Sequence, residues 1–229
     1  MELPRFPQIR SVFLDFDRTL VTVDSWDVLA DVSLAAKSES DRAELQAELI
    51  EIRTLIDEGS ASFFEALQRR INLLGPTRAD LEEASRRLLE SIAPHAEETV
   101  AALTAKGLEV HVVAGSVREL VEPVAQKVGI DASRVHCNEL DFDDDVAVQA
   151  DMGNPLSQDG GKQWVLAEHS SKGTAAIVGD GLDDAEVKKM GGAEVFVAFT
   201  ASRTIPDVVD KADVTVSDLA LLTEMFGEG

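Results

Sequence analysis

Five short apolar runs, separated by stretches of helical spacing, constrain this chain more than any other feature of its sequence. They are Ser11 to Phe16, Leu108 to Ala114, Ala175 to Gly179, Glu194 to Phe199 and Asp213 to Val216, each with the length and composition of a buried strand. Between them lie helical patterns such as Glu97 to Lys106, closed by Gly107, and Val117 to Val128, followed by Gly129. Strands that are apolar throughout, rather than alternating, need cover on both faces. The order therefore predicts an α/β fold with a doubly wound, mostly parallel sheet. Pro123 falls inside the second helical pattern and predicts a late start or a kink.

From about Asp24 to Ile92 the strand signal disappears. Apolar residues there recur at helical spacing: Leu45, Leu49, Ile52 and Ile56, then Phe63, Leu67, Ile71 and Leu74, then Leu81, Ala84, Leu88 and Ile92. This predicts an all-helical insert over 24–92, broken at Gly75-Pro76-Thr77 with Thr77 as a helix cap, inside a core formed by 1–23 and 93–229. Phe64 reads as insert core. Residues Arg134 to Met152 predict a β-hairpin whose Asp143-Asp144-Asp145 run is a solvated turn.

With 229 residues, 45% of them hydrophobic, the chain has room for one sizeable core carrying such an insert. Its single cysteine, Cys137, excludes an internal disulfide and a thiolate metal site and reads as a small buried residue. No run of about eighteen apolar residues spans a membrane, and the polar, proline-broken start from Met1 to Arg10 is unlike a signal segment. A cytoplasmic protein is expected. The net charge of −22 argues against nucleic acid as a partner. It also requires that any anionic ligand find a locally positive site, supplied by metal ions or a few placed cations. The acid excess is compatible with a high-salt cytoplasm.

Four segments carry chemistry, and all lie at strand ends or helix starts, where open α/β sheets bind ligands. Asp15-Phe16-Asp17-Arg18-Thr19-Leu20 places two carboxylates at i and i+2 where a strand gives way to a loop. One can attack an electrophile while the other handles a proton and lends its backbone carbonyl to a metal. Val112-Val113-Ala114-Gly115-Ser116 runs into a small-residue turn whose amides and hydroxyl suit a phosphate. Gly160-Gly161-Lys162 brings an ammonium to a helix start. Val178-Gly179-Asp180-Gly181-Leu182-Asp183-Asp184 adds three carboxylates at another strand end, oxygen ligands for a hard divalent cation. Five clustered carboxylates repel one another unless a cation joins them.

The order DFDRTL, HVVAGS, GGK, VGDGLDD, with a helical insert after the first, resembles the haloacid dehalogenase superfamily and, within it, the phosphoserine phosphatase subfamily. The similarity runs from about Ile9 to Leu222. The resemblance implies that the insert is a cap and that the chain is a magnesium-dependent phosphomonoesterase acting on a small phosphorylated metabolite through an aspartyl-phosphate. By the same resemblance Asp15 is the nucleophile, Asp17 the acid and base, and Lys162 the neutralising cation. Asp15, the carbonyl of Asp17 and Asp180 would hold Mg²⁺, with Asp183 or Asp184 helping through water. Gly115 would contact phosphate, while Asp24, Arg70 and Phe63 would meet the rest of the substrate, with Arg69 as the register alternative to Arg70.

Three positions depart from that pattern. Ala114 removes a hydroxyl that Ser116 would have to replace, Asp183 stands where relatives often carry Asn, and Asp24 is one methylene shorter than Glu. The residues thus leave open phosphoserine, another compact phosphomonoester, or a catalytically weakened fold that binds a phosphorylated ligand or regulates. They say nothing of oligomeric state.

Overall fold

The structure, a computed structural model, describes residues 3–57, 60–170 and 174–227. In chain order it runs β1 (Ser11–Leu14), α1 (Ser25–Ser33), α2 (Glu39–Asp57), α3 (Phe63–Leu74), α4 (Arg78–Leu89), α5 (Ala96–Ala105), β2 (Glu109–Val117), α6 (Arg118–Lys127) and β3 (Val135–Asn138). It continues β4 (Leu140–Asp143), β5 (Val146–Ala150), α7 (Gly161–His169), β6 (Ala175–Gly179), α8 (Leu182–Lys189), β7 (Val195–Phe199), α9 (Pro206–Val209), β8 (Val214–Val216) and α10 (Leu222–Met225). Six strands form one parallel sheet in the order β3-β2-β1-β6-β7-β8. The first strand lies between β2 and β6, so the chain winds outward from it in both directions.

The sheet is covered on both faces, as uniformly apolar strands require. Val12 and Leu14 join one apolar cluster with Val100, Leu120 and Phe226, while Phe13 joins another with Val165, Ile177 and Phe196. Alternate residues of a single strand thus serve opposite layers. The sixth helix runs through Pro123, burying Leu120, Val121, Val124 and Ala125, so apolar packing overrides the hydrogen bond that proline omits.

Between β1 and β2 the chain is helical, and the sequence pattern sets which face is buried. In α3 the inward residues are Ala66, Leu67, Arg70, Ile71 and Leu74, and in α4 they are Leu81, Ala84, Ser85 and Leu88. Ser62 and Thr77 each close a reciprocal capping box, with Glu65 and Asp80 respectively, and each cap is worth about 1 kcal/mol. Gly75 ends α3 with φ +49°. The chain leaves and re-enters the sheet region through paired segments: Thr22 N–H donates to Ser91 O at 2.8 Å and Ala93 N–H to Leu20 O at 2.9 Å.

The hairpin expected over 134–152 divides in two. Val135–Asn138 joins the main sheet beside β2, and only β4 and β5 form the antiparallel pair, with exposed Asp143, Asp144 and Asp145 at its turn. The hairpin also grips the helical segment. Arg78 N–H donates to Asp145 O at 3.0 Å, Ala147 N–H to Pro76 O at 2.9 Å, and the Arg78 guanidinium lies 3.7 Å from the Phe142 ring centre.

Three histidines stack beneath the sheet, with His111 Nδ1 3.1 Å from His136 Nε2 and the rings of His136 and His169 4.2 Å apart. Burial, with Arg134 adding repulsion, holds His111 down to about 4, and burial with the neighbouring histidines and Arg118 holds His136 down to about 3. In the unfolded chain both titrate near 6.5. Their folded values are depressed, so the unfolded state takes up protons first as pH falls. The stability they confer is complete above about 6.5 and is lost as pH falls through the range between 6.5 and the folded values. At pH 5 each histidine should cost on the order of 1 kcal/mol after allowance for solvent screening. Urea midpoints at pH 7.5 and 5.0 should therefore differ less in a His111→Gln/His136→Gln double variant than in the wild type.

Candidate active site

The carboxyl ends of β1, β2 and β6 meet at a cavity of about 130 Å³. Asp15 follows β1 directly, and its backbone N–H donates to Val178 O at 2.8 Å, locking it to the neighbouring strand. Its carboxylate is 2.6 Å from Lys162 Nζ, and both side chains are more than nine-tenths buried. Lys162 stands on the first turn of α7 because Gly161 lets that turn meet the preceding loop. A Cβ at 161 would lie 2.1 Å from Pro155 O. The ammonium also contacts Asp183 at 2.7 Å and Asp184 at 2.6 Å. Burial works against its charge, but the three carboxylates win and hold its pKa well above the ordinary value.

Oxygens of Asp15, Asp180 and Asp184 lie within 4.8 Å of one another, all three residues being buried. Asp180 is also paired with Arg203. Asp15, Asp180, Asp183 and Asp184 against Lys162 and Arg203 leave two uncompensated negative charges. A divalent cation bound to oxygen donors matches that remainder. Asp183 belongs to the lysine rather than to the three-carboxylate cluster, with its side chain 65% exposed.

Burial raises Asp15 to about 6, with Lys162 opposing and Asp183 and Asp180 adding to the rise. Asp17 goes further, to about 8, through burial and the nearby charges of Asp24 and Asp15, although the Ser25 N–H donates to its Oδ1 at 2.6 Å. At neutral pH Asp15 is thus the better anion and Asp17 the better acid. Environment separates two identical side chains two residues apart into different protonation states.

The far end of the cavity is built by the helical segment. Asp24, Trp26, Phe63 and Arg70 line it together with Arg18 and Gly115. Phe63 lies so close to Gly115 that a Cβ there would meet Cζ of the ring at 2.8 Å, and the Phe63 N–H donates to Asp159 at 2.9 Å. Arg70 is 9% exposed, sits 5.7 Å from the Trp26 ring and has no carboxylate within ion-pair distance among the described residues. Arg69, one residue earlier, instead faces Glu48 at 3.7 Å on the surface.

Ser116 lies outside the cavity. The second strand continues to Val117 instead of turning at Gly115, and the fully buried Ser116 Oγ is 2.7 Å from Ser25 Oγ. Its hydroxyl is therefore spent on the start of α1, and Ala114 has no side-chain substitute at the phosphate site. Arg18 and Arg203 are cavity residues that the sequence reading did not single out. The position of Arg18 between Asp17 and Thr19 in the first motif was the available signal; no pattern marks Arg203.

Comparison with known proteins agrees with this architecture. Residues 12–187 match the family model of haloacid dehalogenase-like hydrolases, and the chain belongs to that family. It is 30% identical over 210 residues, 90% of its length, to the chloroplastic phosphoserine phosphatase of Arabidopsis thaliana, spanning 68% of that protein. It is 26% identical to the phosphoserine phosphatase of Drosophila melanogaster, covering 94% of this chain and 77% of the relative. A solved structure described as a phospho-aspartyl intermediate analogue of phosphoserine phosphatase superposes with a TM-score of 0.75 at 26% identity, over 95% of this chain and 99% of the other. Its activity is accordingly that of a phosphoric monoester hydrolase, in the phosphoserine phosphatase-like branch. Among the described residues no helix is long and apolar enough to cross a membrane.

Proposed function

We propose that this enzyme removes phosphate from a small, carboxylate-bearing phosphomonoester, with O-phosphoserine the leading candidate. The observation that carries this reading is the pairing of a buried Asp15–Lys162 contact with a buried Arg70 that has no ion pair among the described residues, in the same small cavity. A guanidinium shielded from water in this way is stabilised by an anionic partner, and its planar fork suits a carboxylate. The names of the Arabidopsis and Drosophila relatives support the serine ester.

In this reading Asp15 attacks phosphorus, the bond to the substrate oxygen breaks, and Asp17 donates its proton to the departing alkoxide. Asp17, now a base, takes a proton from water as the water attacks the aspartyl-phosphate. Inorganic phosphate leaves and the Asp15 carboxylate is restored. Lys162 neutralises Asp15 and the phosphoryl oxygens, and the Gly115 backbone borders the phosphate. Asp15, Asp180 and Asp184, with the Asp17 carbonyl implied by the family resemblance, would hold Mg²⁺. Bound there, that ion supplies charge neutralisation at the phosphoryl group. Residues 24–92 act as a cap that excludes water through the Phe63–Gly115 contact and must open for exchange. A cytoplasmic location belongs to this reading, with a fold that uses no internal disulfide and an acid excess compatible with a high-salt cytoplasm.

Phosphate release from O-phosphoserine and from a carboxylate-free aryl phosphate tests the reading. Arg70→Lys keeps a charge and loses the fork. It should raise KM for O-phosphoserine by about tenfold to a hundredfold, the range of 1.4–2.8 kcal/mol, and leave aryl phosphate hydrolysis nearly unchanged. An equal response of both substrates would remove Arg70 from substrate recognition.

A further inference from the structure

A carboxylate that reads a substrate ammonium needs an oxygen turned to the cavity with a lone pair to spare. Asp24 lines the cavity, but both its oxygens are engaged, and three of its four lone-pair sites already accept hydrogen bonds. Its Oδ1 accepts the N–H groups of Trp26 at 3.0 Å and Asp27 at 3.2 Å, capping α1. Its Oδ2 is held by the Arg18 guanidinium at 2.6 Å, with Arg53 3.8 Å away, and the side chain is only 11% exposed. Arg18 reaches it from a left-handed backbone position, φ +59°, which the loop fixes through the Arg18 N–H to Val23 O bond of 3.0 Å.

The charge around this end of the cavity is also wrong for an ammonium. Arg18, Arg53 and Arg70 face Asp24 and Asp27, and Arg53 is itself bonded to Asp27 at 2.5 Å. Asp17 lies near Arg18 and Arg70 as well, but Arg70 forms no ion pair among the described residues, so an approaching ammonium meets a guanidinium that no carboxylate neutralises directly. An entering ammonium would have to compete with Arg18 for Asp24 and leave a second, half-buried arginine without its ion-pair partner. A carboxylate meets no such obstacle.

From this geometry we infer that the site reads the phosphate and the carboxylate of its substrate but not an amine, so that phosphomonoesters of small hydroxy acids lacking an amino group are substrates as good as O-phosphoserine, with Arg18 the residue that sets this tolerance. The inference rests on the carboxylate-bearing substrate proposed above. Recognition of the phosphoryl group is unchanged by it.

Three esters separate the possibilities when assayed with the full chain and Mg²⁺: O-phosphoserine, 3-phosphooxypropanoate, which lacks only the amine, and O-phosphoethanolamine, which lacks only the carboxylate. The expected kcat/KM values for the first two agree within tenfold, and the third falls at least a hundredfold lower. A gap above tenfold in favour of O-phosphoserine overturns the inference and leaves the phosphatase standing. Failure of both carboxylate esters while an aryl phosphate is cleaved overturns the proposed substrate class itself. Two variants test the residues. Asp24→Asn keeps the helix cap and should lower kcat/KM for both carboxylate esters alike, through the loosened Arg18; selective loss of O-phosphoserine would show that Asp24 reads the amine after all. Arg18→Ser frees Oδ2 and should shift the ratio toward O-phosphoserine by at least tenfold, and an unchanged ratio would remove Arg18 from specificity.

Discussion

Replacing Asp15 by asparagine should abolish turnover, lowering kcat by on the order of 10⁵-fold, while leaving the protein folded. The amide keeps the shape of the side chain and its reach toward Lys162, so the cavity should persist, but no anion remains to attack phosphorus. The stability consequence has a definite sign. Burial and the carboxylates of Asp183 and Asp180 outweigh Lys162 and lift Asp15 to about 6. Because the folded value lies above the unfolded one near 4, the unfolded chain loses this proton first as pH rises between them, and stability falls across that window. Asparagine does not titrate, so the metal-free variant at pH 7.5 should melt at the same temperature as the wild type or higher. Inactivity with an undiminished melting temperature identifies a chemical defect, whereas near-normal turnover would place the nucleophile elsewhere. Asp17→Asn provides the contrast. It removes a proton carrier rather than the attacking group, and a loss of about 10² to 10⁴ is expected.

Much of this site is visible in the sequence because its parts sit where short patterns end. Strands buried on both faces advertise themselves as continuous apolar runs, and Ala175–Gly179 has the bounds its residues suggest. Asp15, Lys162 and Asp180 follow such runs or open a helix behind glycines, so chain direction alone puts them on one edge of the sheet. Val135–Asn138 is harder to read. It is four residues long, contains His136 and Asn138, and belongs to the main sheet only through pairing with β2, a contact between segments more than twenty residues apart. Ser116 illustrates a different limit. One more turn of strand pleat decides which face a side chain serves, and nothing local marks the extension of β2 to Val117. Arg203, and Arg18 apart from its place in the first motif, are hard to read for a third reason. An arginine is ordinarily a surface residue, and these two matter only because folding delivers them to Asp24 and Asp180.

Removal of divalent cations should be as damaging as loss of the nucleophile, and its cause lies in the crowding of carboxylates at the strand ends. Asp180 is raised by burial despite Arg203, and Asp184 is raised well above the ordinary carboxylate range by burial and by Asp183. Both groups are carboxylates that burial disfavours as anions, so holding them ionised together calls for a cation beside them. A phosphate dianion entering that site adds two further charges, more than Lys162 and Arg203, already shared among these carboxylates, can meet alone. An excess of chelator should therefore bring turnover below about 1% of its starting value, a loss of roughly 2.7 kcal/mol or more in transition-state stabilisation, and Mg²⁺ should restore it. Melting offers a readout that does not depend on catalysis. At a hundred times its dissociation constant a ligand specific to the folded state adds about 2.7 kcal/mol, which in a chain of this size raises the melting temperature by roughly 5–10 °C. Asp180→Asn should erase most of that rise, because it removes a member of the cluster and releases Arg203 into the cavity as an unpaired cation. Full turnover in chelator, with no change in melting temperature on adding Mg²⁺, would show that Lys162 and Arg203 alone hold the phosphate and that the three carboxylates serve another purpose.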